Sequence, residues 1–205
     1  MTRSAAASAA VLAMTAAGCG EFVRESRSPS QLVITSLEAA SGAEPDDMGA
    51  TLRSDVATVI ERADDEGGDY TSFYNDIGQV TMRVQLRDPG TPGTTTAPST
   101  INSVTINRYR VTYRRSDGRN TPGVDVPFPI DSAITVTVGE DNVEAGFDIV
   151  RHSQKNEAPL TRLTTGETFI STVADVTFYG RDQAGNEVAA TGSIGITFGN
   201  FADPE

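Results

Sequence analysis

The sequence predicts an all-β fold, an antiparallel β-sandwich of about eight strands. Three observations carry that prediction. Apolar residues recur with a period of two along most of the chain beyond Ser30, as in strands with one buried face. Threonine and valine are abundant, while long runs with the 3.6-residue period of an amphipathic helix are lacking. Clusters of Gly, Pro, Asp and Asn separate the alternating runs, where turns between strands are needed.

A first strand is expected over 31–39, with Leu32, Ile34 and Ser36 on one face. A loop over 40–50 leads to a second strand over 51–61, in which Val56, Thr58 and Ile60 alternate with Ala57 and Val59. Residues 62–76 read as an acidic, glycine-bearing loop. Its Tyr70, Phe73 and Tyr74 are expected as lids over the core, the alternative being a binding-loop tip. The third strand, 77–87, aligns Val80, Met82, Val84 and Leu86 on one face. The segment 88–100 is rich in Pro, Gly and Thr and cannot fill a core, so mobility is expected there and near 62–76.

In the fourth strand, 101–115, the apolar phase shifts: Val104 and Ile106 share one parity, and Tyr109, Val111 and Tyr113 the other. Such a shift predicts a bulge or a crossing between sheets. After a turn at Ser116, Asp117 and Gly118, residues 120–130 carry three prolines and read as edge or loop. Strands over 132–139 and 143–151 are expected to pair as a hairpin, with Ile134, Val136 and Val138 of one and Val143, Ala145, Phe147 and Ile149 of the other inward. The connection 152–166 has the spacing for a short helical turn near Leu160 and Leu163. The final hairpin is the clearest. Residues 168–181 place Ile170, Ala174, Val176 and Phe178 inward, and 187–199 return with Val188, Ala190, Ile194, Ile196 and Phe198. The phrase from Tyr179 to Val188 (YGRDQAGNEV) resembles the last hairpin of bacterial immunoglobulin-like and fibronectin-III-like modules. That resemblance makes the expected sandwich immunoglobulin-like.

The chain opens with Arg3, the only charge before Glu21, and a small, apolar run from Ala5 to Ala17. This run is too short to span a bilayer and has the length of a signal-peptide core. It ends in Ala16, Ala17, Gly18 and Cys19, and Cys19 is the only cysteine. The segment resembles the lipobox of bacterial envelope lipoproteins, with Ala16 where that family prefers Leu. The resemblance implies a signal peptide over 1–18, lipidation at Cys19, a tether over 19–30 and a domain over 31–205. It further implies a cell-envelope location. Gly20, where an Asp would favour inner-membrane retention, points to the outer membrane. Without a second cysteine, the fold has to be stable without disulfides.

The formal net charge of −12 argues against nucleic acid as a partner, since such affinity rests on Lys and Arg meeting phosphates. One histidine, His152, stands in a polar connection, and no G-x-S-x-G elbow is present. A surface histidine and a non-enzymatic protein are therefore expected. Asp64, Asp65, Glu66 and Asp69 cluster in one loop and form the candidate calcium ligands. Their spacing does not match an EF-hand, and a solvated acidic loop is the plainer reading, so no cofactor is expected. Arg108, Tyr109, Arg110, Tyr113 and Arg114 form the candidate partner-binding surface, suited to an acidic partner or a polyanionic glycan. The plainer alternative is a solvent-facing strand whose arginines pair with acidic neighbours. Taken together, the sequence points to a lipid-anchored interaction or structural module working with other envelope proteins or glycans. The alternative is a lipid-anchored carrier holding a small ligand in a β-barrel cavity.

Overall fold

The structure is a computed structural model that describes residues 28–61, 68–88, 90, 97–165 and 168–201. Among these, ten strands follow in chain order: β1 (Ser30–Ala40), β2 (Thr51–Asp55), β3 (Thr58–Ile60), β4 (Tyr70–Ser72), β5 (Asp76–Leu86), β6 (Val104–Arg114), β7 (Ile130–Val138), β8 (Val143–Val150), β9 (Ile170–Asp182) and β10 (Glu187–Gly199). One sheet has the order β1-β5-β8, and the facing sheet β2-β10-β9-β6-β7. A two-stranded ribbon of β3 and β4 stands apart. The sequence therefore forms the expected all-β sandwich, with more strands than expected.

The strand order is that of an immunoglobulin-like sandwich whose first strand is divided between the sheets. β1 pairs antiparallel with β5, and the chain then crosses over so that β2 pairs parallel with β10. All other described strand pairs are antiparallel. The inward faces meet in one core that includes Val80, Met82, Val84, Val111, Val176 and Ile196. At its centre Tyr109 of β6, Phe147 of β8 and Phe178 of β9 contact one another edge-on or tilted, with centroids 5.2 to 6.3 Å apart. Antibody domains bridge this region with a disulfide; here interlocking rings provide the cross-sheet contact.

The phase shift in the fourth strand is a bulge. The register of β6 slips between Ile106 and Arg108 against both β7 and β9. The final hairpin also forms as expected, twelve residue pairs long. Its turn is held by Asp182, whose carboxylate accepts from the backbone N–H of Ala184 (3.0 Å) and Asn186 (2.8 Å) and from Asn186 Nδ2 (2.9 Å). Gly185 sits there at φ +87°, a conformation open to glycine at little cost.

Four expectations are corrected. β1 has its own bulge between Ile34 and Ser36, so Leu37 rather than Ser36 packs against the core. The expected second strand is two strands in different sheets. Asp55 and Thr58 bond side chain to side chain at 3.1 Å and turn the chain between them. Within the expected loop 62–76, Tyr70–Ser72 is extended and pairs with β3. β7 and β8 do not form a hairpin: β8 pairs with β5. Their apolar faces look at each other across the core, so residues 139–142 carry the chain from one sheet to the other.

Candidate functional site

The ends of the sandwich differ. Ser28 and Ser30 sit beside the β9–β10 turn: Ser30 Oγ donates to the Asn102 carbonyl at 2.9 Å, and Ser28 hydrogen-bonds Asp182. A chain arriving from Cys19 therefore enters at this end. The opposite end gathers the start of β5 and β9, the ends of β6, β8 and β10, and a one-turn helix α1 (His152–Lys155).

Helix α1 works as a plug. Arg151 N–H donates to Gln154 Oε1 at 2.7 Å, closing its first turn. Gln154 Nε2 donates to the Phe128 carbonyl at 2.5 Å. Beside it, the Tyr113 hydroxyl donates to the Ile149 carbonyl at 2.6 Å and lies 3.3 Å from Gln154 Nε2. Burial pushes the Tyr113 phenol above its ordinary range, against the opposing hydrogen bond from Gln154.

Lys155, the next residue, is 1% exposed and enters the protein interior. Its Nζ lies 2.7 Å from Oδ1 of Asp76, which is fully buried, and donates to the Asp55 carbonyl at 2.7 Å. The Asp76 carboxyl also accepts from Ser54 Oγ at 2.5 Å and from Gly42 N–H at 3.0 Å. Four chain segments thus meet on one carboxyl group: the loop after β1, the end of β2, the start of β5, and α1. Burial pushes the Asp76 carboxyl above the usual carboxylate range; Lys155, Ser54 and Gly42 oppose that rise without cancelling it. This centre has no sequence signature. Lys155 and Asp76 lie 79 positions apart, and Lys155 sits in a polar stretch that reads as surface.

The arginine-rich strand divides by parity. Tyr109 and Tyr113 are core residues, 3% and 6% exposed. Arg108, Arg110 and Arg114 face solvent and meet cross-strand acids. Arg108 and Arg110 reach Asp131 at 3.6 and 3.3 Å. Arg114 makes a two-point contact with Asp175, at 2.6 and 3.3 Å. The Arg114 hydrogen bond holds the Asp175 carboxyl below the usual range. Tyr179 of β9 is the aromatic partner on this face, with the Arg108 guanidinium 4.2 Å above its ring. The structure therefore sets the three arginines on the outer face, against two different neighbouring strands, and sends the two tyrosines inward.

Tyr70 and Tyr74 are not lids over the core; they are 49% and 37% exposed. Phe128 (49%) and Phe169 (68%) are exposed as well, and all four belong to the α1 end. His152 is exposed, with Nδ1 2.8 Å from Asn75 Oδ1. Of the candidate calcium ligands, Asp69 is exposed, whereas Asp64, Asp65 and Glu66 lie outside the described residues. So do Cys19 and the whole signal segment. Among the described residues no helix is long and apolar enough to cross a membrane.

Fold and sites together define a disulfide-free, immunoglobulin-like sandwich with a sealed Lys–Asp centre at one end. Compared with protein-family models, curated proteins and solved structures, the chain matches none.

Proposed function

We propose that the protein is a lipid-anchored, non-enzymatic module of the bacterial cell envelope, tethered through Cys19 in the outer membrane and binding an envelope protein or glycan at its α1 end. The observation that carries this reading is polarity. The chain enters beside the β9–β10 turn, while Tyr70, Tyr74, Phe128 and Phe169 are exposed at the opposite end. Aromatic side chains are enriched at the centre of protein interfaces. A carrier would need an open cavity between the sheets; that space is filled by Met82, Phe147, Phe178 and their neighbours, which favours the module.

The test uses the full chain in a bacterial host. Cys19→Ser is expected to move the protein from the membrane to the soluble envelope fraction, because acyl chains alone supply the anchoring. A photo-cross-linking residue at Phe128 or Tyr70 is expected to capture a partner that the same residue at Ile101, exposed at the tether end, does not. Membrane retention of the Cys19→Ser variant, or equal capture from both ends, would remove this reading.

A further inference from the structure

We propose that Lys155 and Asp76 condense to an amide, a covalent cross-link between α1 and the start of β5. The reacting groups are already in contact, with Nζ 2.7 Å from Oδ1, and both are sealed from solvent. In water near neutral pH the amine is an ammonium and the acid a carboxylate, and neither reacts with the other. Burial changes that balance. An ion pair in a dry interior is costly to keep charged, and transfer of one proton from Nζ to the carboxyl yields the free amine and the neutral acid in the same contact. The upward pull of burial on the Asp76 carboxyl acts in the same direction.

The surroundings suit the step. Nζ attacks Cγ, the new C–N bond forms, and negative charge develops on the carboxyl oxygens. Ser54 Oγ–H and Gly42 N–H already donate to those oxygens, so they stabilise the tetrahedral intermediate as fixed donors. A second nitrogen proton passes through the Ser54 hydroxyl to one carboxyl oxygen. That C–O bond breaks and the oxygen leaves as water. Ammonium plus carboxylate become amide plus water, with charge and atoms balanced and no oxidant or activating group consumed. The product retains one N–H for the Asp55 carbonyl, which now accepts from Nζ at 2.7 Å, and, with Oδ2 lost beside Ser54, one C=O at Oδ1 for the Gly42 donor. A costly buried charge pair is replaced by a neutral, hydrogen-bonded amide. The link closes a loop between residues 79 positions apart in a chain that can form no internal disulfide, and it fastens the exposed end of the sandwich.

The test is a denaturing tryptic digest of the full chain read by mass spectrometry. Peptides 63–83 and 152–162 are expected as one linked species, lighter than their sum by one water, with no cleavage after Lys155. Fragmentation should place the bond between Lys155 and Asp76. Recovery of peptide 63–83 unlinked from folded protein, together with 152–155 and 156–162 from cleavage after Lys155, would overturn the proposal. Lys155→Arg retains a cation beside Asp76 without an amine able to form this bond. Persistence of the link between these segments in that variant would overturn it equally.

Discussion

At Tyr113 one hydroxyl fastens the two sheets. Its ring packs edge-on against Phe198 of the same sheet, with centroids 6.1 Å apart. Its oxygen reaches the Ile149 carbonyl of the facing sheet. Tyr113→Phe keeps the ring and removes the bond, leaving a buried carbonyl and the Gln154 amide short of a partner. The expected cost is about 1–2 kcal/mol, read as a lower denaturation midpoint at unchanged slope; an unchanged midpoint would show that the bond is energetically idle. Side-chain direction on this strand was legible in the sequence from the alternation of arginine with tyrosine. Which set faced water was settled by the neighbours: Asp131 and Asp175 stand on the outer face, Phe147 and Phe178 on the inner. Lys155 was not legible at all. A buried lysine is found through its partner, and neither a four-residue helix nor an aspartate opening a strand announces the other.

At the scale of elements, the bulge in β6 is matched by a glycine on the neighbouring strand. Gly180 of β9 lies opposite Ile106, at the point where the register slips. A Cβ there would collide with the Thr105 carbonyl and the Ile106 Cα, backbone atoms that cannot rotate away. Gly180→Ala is therefore expected to destabilise the domain by about 1–3 kcal/mol, whereas Gly185→Asn in the exposed turn should cost much less, since Asn tolerates that conformation. Equal midpoints for the two variants would show that the strands separate freely at the bulge. The bulge itself was legible because a change of apolar parity inside one strand has few other causes. The β7–β8 connection was not. Two consecutive strands with inward apolar faces read alike whether they pair side by side or face each other across a core, and only the third partner, β5, distinguishes the cases. The division of the second strand was hidden for a similar reason: Val56, Thr58 and Ile60 keep a period of two through the break between Asp55 and Thr58, where the chain leaves one sheet for another.

For the whole molecule, the response to acid is set by carboxyls whose folded-state pKa departs from the ordinary value. Asp182, Asp175 and Asp117 all hold carboxyls below their ordinary range. At Asp182 burial pulls upward, and the hydrogen bonds from Asn186, Ser28 and Ala184 outweigh it. At Asp175 and Asp117 the leading cause is the arginine beside each, Arg114 and Arg115. A carboxyl with a depressed folded-state pKa binds fewer protons in the native than in the unfolded chain. Its contribution is present above the ordinary carboxylate range and is lost as pH falls through the lowered value. Asp76 has the opposite sign. Its raised pKa means that the native state binds the extra proton, so as a free acid it favours folding at low pH and loses that contribution as pH rises. The three lowered carboxyls lose their contributions as pH drops from about 5 through their lowered values, while Asp76 works in the opposite direction. Asp182→Asn should lower stability near neutrality, where the charged form accepts the most from its turn. It should also flatten the acid slope, because one of the protonating groups is gone. Melting temperatures of the two proteins across that range decide the matter: converging curves at low pH support the assignment, and parallel curves would show that Asp182 does not drive acid unfolding. A Lys155–Asp76 amide would remove the opposing titration altogether, so the acid slope of the cross-linked chain should be steeper than that of Lys155→Arg, in which Asp76 still takes up its proton.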